Sequence, residues 1–365
     1  MKILERVTGG GRVIKYIDGL RGLSVIVVLL CHFIAHHEAN FPDFSKKYHW
    51  LYPYFGNGLG HHAVYLFFAI SGFILALPFI NQYVYDGKKV ALKGFFTRRI
   101  SRIEPPYIVL LSVFFFFALV FGEKGFSYLF PHFAASFFYL HNVIFGGYPE
   151  INIVLWTLEI EVQFYLLAPL FSLLVFKMPK WVRRGVMLSI ILLWQYVLEP
   201  LEIRTLYNYF QYFMVGFLCA DLYLEYQNKI KPTLWVDIIC IPVLLIYWQG
   251  TLWGHFHWLY IFVFLFLTPF SVIWKYLMER KYLIIMGGMC YSIYMLHHKI
   301  IYVFFGVYKS GHTFFGNDLL NFFFRLGLIS TIIAIATIVF FVFVERPTMK
   351  REWWKYKSLK KLFFE

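Results

Sequence analysis

The sequence predicts an all-α integral membrane protein: a bundle of about ten transmembrane helices with a re-entrant or interfacial segment near 126–146. Three observations predict it. Hydrophobic residues fill 60% of the 365 positions and charged ones only 15%, against roughly 25% charged in ordinary soluble domains. Apolar runs follow one another from near residue 17 to residue 344, many of them close to the roughly 20 residues that cross a hydrocarbon core. The basic residues collect in the short segments between these runs, as the positive-inside rule requires of a polytopic chain.

The candidate spans are 17–37, 62–81, 106–122, 154–176, 185–198, 205–224, 233–250, 257–274, 283–307 and 320–344. The first run carries charges at its start and no small-residue cleavage site, so it is expected to stay as a helix. An eleventh stretch, 126–146, holds Pro131, His132, His141, Asn142 and the pair Gly146-Gly147. Charge decides its placement. If it does not span, one side of the membrane receives 26 Lys and Arg and the other five: Lys46, Lys47, Lys124, Arg204 and Lys309. If it does span, the basic loop 177–184 and the basic tail fall on opposite sides. The first arrangement puts both termini in the cytoplasm and 126–146 on the outer side. Residues 1–349 then form a single membrane domain. The tail, 350–365, is a basic cytoplasmic segment with Trp353 and Trp354, suited to the anionic inner leaflet.

The net charge of +14 is accounted for by topology, so nucleic acid is not an expected partner. The four cysteines, Cys31, Cys219, Cys240 and Cys290, lie inside apolar runs without a C-x-x-C pair and read as small core residues.

Ionisable groups inside a bilayer are costly, which makes each one a functional candidate. The first helix carries Asp18, Arg21 and His32 on one face, with Arg21 and His32 roughly 16 Å apart along the axis. Arg99 and Arg102 stand one helical turn apart in the second basic cluster, a spacing that suits phosphate groups. Glu161 shares a face with Tyr165 in Trp156–Tyr165 and lies about 10 Å below the outer surface, close to the depth of His32 at about 8 Å. A carboxylate at that depth would orient the imidazole and raise its basicity. His297 comes to a similar level in Tyr291–His298. Three polar groups on three helices at one depth point to a site. No metal is expected, since His61-His62 and His297-His298 are adjacent pairs whose side chains diverge on a helix.

These elements resemble the membrane acyltransferase family 3. The resemblance rests on Asp18-Gly19-Leu20-Arg21-Gly22 with His32, Phe67 to Phe73, Arg99-x-x-Arg102 before Pro105-Pro106, Trp156 to Tyr165, Tyr291 to His297, and Glu345-Arg346-Pro347. It runs in order over about residues 16–347. The chain departs from the family at Glu159, at Val162 and at Ala63-Val64-Tyr65-Leu66, changes that bear on the acceptor pocket more than on the reaction. The resemblance implies an enzyme that O-acylates carbohydrates or other hydroxylated molecules, with an acyl-CoA donor on the cytoplasmic side. It carries over His32 as the essential histidine, Arg21, Arg99 and Arg102 as functional arginines, and Glu161 as the motif carboxylate.

The expectation is therefore a multi-pass O-acetyltransferase of the cell membrane, using acetyl-CoA and no metal. Its acceptor is a cell-surface carbohydrate or its lipid-linked precursor. Arg21, Arg99 and Arg102, with Asp18, form the expected donor site; His32 is the expected general base with Glu161 as its partner; His297 and Tyr165 are expected at the oxyanion. An acyl-His32 relay stays open, and the alternative class is a glycan transporter or flippase, since buried His, Glu and Arg also mark transport pathways.

Overall fold

The computed structural model describes residues 2–7, 14–49, 59–249, 256–308 and 314–349. The basic tail expected at 350–365 lies outside them. Among the described residues the chain is helical and contains no strand. Each apolar run became a helix, because a backbone without water must satisfy its own polar groups. The order is α1 (Lys15–Asn40), α2 (Pro42–Lys47), α3 (Leu59–Val84), α4 (Leu92–Phe121), α5 (Phe126–Phe137), α6 (His141–Phe145), α7 (Trp156–Phe176), α8 (Lys180–Tyr196), α9 (Leu206–Tyr226) and α10 (Leu234–Gln249). There follow α11 (His257–Leu267), α12 (Ile273–Met278), α13 (Lys281–Gly288), α14 (Cys290–Val307), α15 (Asp318–Phe340) and α16 (Arg346–Thr348). A π-helical turn, Phe341–Glu345, joins the last two.

Five helical stretches among the described residues are long and apolar enough to cross a membrane: Lys15–Asn40, Gly60–Val84, Leu92–Phe121, Ile153–Phe176 and Asp318–Thr348. By that measure the expected count of about ten is not reached. Two expected spans are interrupted: 257–274 by the 3-10 turn Thr268–Phe270 with Pro269, and 283–307 at Met289, after the pair Gly287-Gly288. The doubtful stretch 126–146 forms two short helices, α5 and α6. Between them Tyr139 takes a left-handed backbone (φ 57°), an uncommon conformation for a bulky residue. Gly146 (φ 70°) ends α6.

The helices fall into two compact units. The first comprises Met1–Ala63, Arg98–Leu110 and Lys281–Glu365; the second, Val64–Thr97 and Leu111–Arg280. In the first, α1 packs on α13 and α14, and α14 on α15. Glycines make the α1–α13 approach possible: a Cβ at Gly287 would stand 1.7 Å from the Asp18 carbonyl oxygen, and one at Gly22 would stand 2.3 Å from that of Leu283. In the second unit α9 packs on α7, α8 and α11. There Gly216 meets the Ala69 carbonyl of α3 and Gly72 meets that of Phe213. Small residues that admit backbone contact are the usual device for membrane helices, which gain little from burying apolar surface against apolar lipid.

Candidate active site

In the first unit, His32 of α1 faces His297 of α14, with Nδ1 of His32 2.7 Å from Nε2 of His297. The rings stack at a centroid distance of 4.9 Å. Nδ1 of His297 lies 3.1 Å from the Ile293 carbonyl oxygen one turn back. A carbonyl only accepts, so His297 Nδ1 carries the hydrogen and donates it. Neutral His297 then accepts at Nε2, and His32 Nδ1–H donates to it. This assignment leaves His32 Nε2 with its lone pair, which is the form a general base requires. His297 is wholly buried, and both its ring nitrogens are engaged. The sequence expectation gave His32 the carboxylate of Glu161, which lies in the second unit; within the first unit, packing of α14 on α1 brings the His297 imidazole opposite His32.

Nearer the start of α1, Asp18 Oδ1 accepts from Arg6 Nη1 at 3.0 Å and lies 3.6 Å from Arg21 Nη1. Arg102 of α4 acts electrostatically on Arg6, Cys290 and Glu345. Burial, then the charge of Arg102, holds the Arg6 guanidinium down to about 10, so it remains charged at neutral pH. Glu345, fully buried in the π turn, accepts from the Ser292 backbone N–H at 3.2 Å and from the Ser292 hydroxyl. The Tyr291 hydroxyl donates to the Ile103 carbonyl at 3.1 Å. These contacts tie α14 to the arginine-bearing turn of α4 and to the end of the chain's last long helix.

Among the described residues the corner brings the guanidiniums of Arg6, Arg21 and Arg102 together with the carboxylates of Asp18 and Glu345. Guanidiniums bind phosphate through paired, charge-assisted hydrogen bonds, the chemistry that a phosphorylated ligand needs. Asp18 accepts from Arg6 and forms an ion pair with Arg21, so it helps to place both guanidiniums. Arg99, half-buried, stands one turn before Arg102 on α4. Sequence reasoning missed Arg6, which precedes the first helix in a segment without periodicity. It also passed over Ser292 and Glu345, although both sit inside motifs it singled out.

In the second unit, Glu161 of α7 accepts from the hydroxyls of Ser71 and Tyr165. Ser71 belongs to the Phe67–Phe73 motif, so two sequence signals meet at one carboxylate. Glu159 has a different occupation. Completely buried, it accepts from the backbone N–H groups of His141 at 3.0 Å and Asn142 at 2.8 Å. Asn142 Nδ2 donates to the Trp156 carbonyl at 3.0 Å. Glu159 therefore caps α6 and anchors the segment 126–146 to the start of α7. Nearby, His132 Nδ1 and His141 Nε2 stand 2.9 Å apart, and Glu150 bonds Lys124 at 2.7 Å and Tyr128 at 2.9 Å.

A family model described as an acyltransferase domain matches residues 14–344. The chain belongs to this acyltransferase family. The match covers nearly the whole sequence and includes the motifs on which the resemblance was drawn as far as Tyr291 to His297; Glu345-Arg346-Pro347 follows just after its end. Among curated proteins, the peptidoglycan O-acetyltransferase OatA of Listeria monocytogenes is 32% identical over 201 residues, 52% of this chain and 29% of that protein. The O-acetyltransferase OatA of Staphylococcus aureus is 32% identical over 168 residues, 44% of this chain and 24% of that protein. An uncharacterized protein of Haemophilus influenzae is 30% identical over 137 residues, 35% of this chain and 55% of that protein. The similarity to the OatA proteins thus spans less than a third of their length. No solved structure matches the chain.

Proposed function

We propose that the chain is a multi-pass O-acetyltransferase that moves an acetyl group from acetyl-CoA to a hydroxyl of a cell-surface carbohydrate or its lipid-linked precursor. Family membership and the names of the OatA relatives support the acyl-transfer class. The observation that carries the mechanism is the chain from His32 to His297 to the Ile293 carbonyl, which leaves the outer nitrogen of His32 as a base. On this reading the chain crosses the membrane ten times with both termini cytoplasmic, and 126–146 is a non-spanning outer segment. The charge split and the two short helices α5 and α6 support that topology.

The cytoplasmic arginines Arg6, Arg21 and Arg102, with Arg99 beside them, hold the phosphates of the donor. His32 Nε2 takes the proton of the acceptor hydroxyl as its oxygen attacks the thioester carbonyl. The C–S bond breaks, the thiolate leaves, and the proton held by His32 passes to the sulfur. When His32 becomes an imidazolium, its Nδ1–H bond to His297 becomes charge-assisted and shortens the climb to the transition state. His297 is then a positioning and charge-sharing residue rather than an oxyanion donor. Glu161, held by Ser71 and Tyr165, is the motif carboxylate of the second unit.

Purified protein in lipid, given acetyl-labelled CoA and a glycan, tests the reading. Label on the glycan as a base-labile ester is the expected result; movement of unmodified glycan across the bilayer without esterification would replace it with the transporter reading.

A further inference from the structure

Beside the His32–His297 pair stand two more imidazoles that the proposed chemistry leaves without a task. The His298 ring meets His32 edge-on at a centroid distance of 5.1 Å. His36 meets His298 at 5.3 Å. His36 follows His32 by four residues on α1, one turn or about 6 Å further toward the far end of the helix. Beyond it, at 6.1 Å, lies the ring of Tyr302, which is 60% exposed. All these residues belong to the first unit. Sequence reasoning overlooked the i,i+4 spacing of His32 and His36, plain as it is in the sequence, and could not show that His298 joins them.

The rings form a ladder from the base to the surface. His32, His36 and His298 are half-buried rather than sealed. Nδ1 of His298 is itself buried, with no hydrogen-bond partner among the described residues. A buried nitrogen without a partner is costly, and native structures rarely leave one so without a ligand or water to meet it. Simple packing does not account for imidazoles where a phenyl ring would fill the same space without that penalty. No group of three or more metal-ligating side chains converges among the described residues, so the ladder does not read as a metal site. What neutral imidazoles share is one N–H donor and one lone pair each. A hydroxyl offers the complementary pair.

We infer that His36 and His298 line the route by which a polyhydroxylated acceptor reaches His32, and that they hold its hydroxyl groups by hydrogen bonds. The inference rests on the proposed glycan acetylation and names the acceptor-binding residues of that site. In transfer from acetyl-CoA, a hydroxyl held between His298 and His32 presents its proton to His32 Nε2. The neighbouring hydroxyls of the same sugar bond His36 and His298, and Tyr302 marks the entrance.

The experiment uses the full chain in proteoliposomes, with acetyl-labelled CoA as donor and a tetrasaccharide of alternating N-acetylglucosamine and N-acetylmuramic acid as acceptor probe. His36→Ala and His298→Ala are expected to raise the acceptor KM about three- to tenfold, the worth of one hydrogen bond to a neutral group. The kcat and the acetyl-CoA KM should stay within about twofold of wild type. His298→Asn, which keeps a donor and an acceptor, should recover most of the loss and serves in place of the alanine variant if that fails to fold. An unchanged acceptor KM in folded variants overturns the inference. So does a fall in kcat with KM intact, since that would make the rings proton carriers. Absence of transfer by the wild-type protein overturns the parent reading and the inference together, a result distinguished by needing no variant.

Discussion

Removing the His297 imidazole tests the pair at the centre of the site. In the resting protein His32 donates from Nδ1 to His297 across 2.7 Å. A bond between neutral groups contributes about 1 kcal/mol, and one with a charged donor about 1.5–3 kcal/mol. The bond therefore strengthens by about 0.5–2 kcal/mol as His32 takes the proton. At 1.36 kcal/mol per decade, the loss expected for His297→Ala is about 2–30-fold in kcat. His32→Ala removes the base itself and should cost on the order of 10²–10⁴. His297→Gln, which offers an oxygen to His32, should fall between wild type and His297→Ala. The double variant should be no worse than His32→Ala alone, because both act through one proton. The assay is the initial rate of ester formation from acetyl-labelled CoA, with size-exclusion profiles as the folding control. A folded His297→Ala protein with wild-type kcat would refute the charge-sharing role; a loss equal to that of His32→Ala would make His297 the base.

Four further outcomes follow from the same geometry. Arg6→Ala and Arg102→Ala should each weaken acyl-CoA binding roughly ten- to hundredfold, read by calorimetry with a non-hydrolysable analogue; normal affinity in both would move the donor site elsewhere. Ser71→Ala and Tyr165→Phe should each lower transfer less than Glu161→Gln, since each removes one of two hydroxyls from Glu161 Oε1, and the reverse order would assign the chemistry to a hydroxyl. Glu159→Ala leaves two buried N–H groups bare, at a local cost of roughly 2–6 kcal/mol, so amide exchange at His141 and Asn142 should accelerate while the arginine corner keeps its protection. Lys124 holds the Glu150 carboxylate below its usual range, so that pair's stabilisation exists above the ordinary carboxylate value and is lost as pH falls through the lowered one; a melting difference between wild type and Glu150→Gln should be present at neutral pH and vanish in acid.

The sequence made the axial positions of the site readable and left its azimuths obscure. Asp18, Arg21 and His32 could be placed on one stripe because the helix has a fixed pitch and their neighbours are apolar. Depth alone then suggested Glu161 for His32; it could not single out the ring that His32 bonds within its own unit. The hydrogen bonds found run from His32 to His297 and from Glu161 to Ser71 and Tyr165. Pro131, Gly146 and the charge balance marked 126–146 as irregular, and it is two short helices. What Glu159 does there was unreadable, since capping a helix 17 residues upstream is a tertiary event. Arg6 was invisible for a related reason: it meets Asp18 and the charge of Arg102 from a segment with no pattern. The break at Met289 was foreshadowed by Gly287-Gly288, yet only the contact of Gly287 with α1 shows why those residues are small.

The π turn at Phe341–Glu345 acts as a phase shift. One extra residue in a helical turn advances everything beyond it by about 100°. Glu345, the last residue of that turn, accepts from Ser292. Deleting one of Val342, Phe343 or Val344 would restore a regular helix, leave composition almost unchanged, and swing the Glu345 carboxylate out of line with Ser292. Such a deletion would detune the arginine corner from within, by turning one of its carboxylates away through geometry alone.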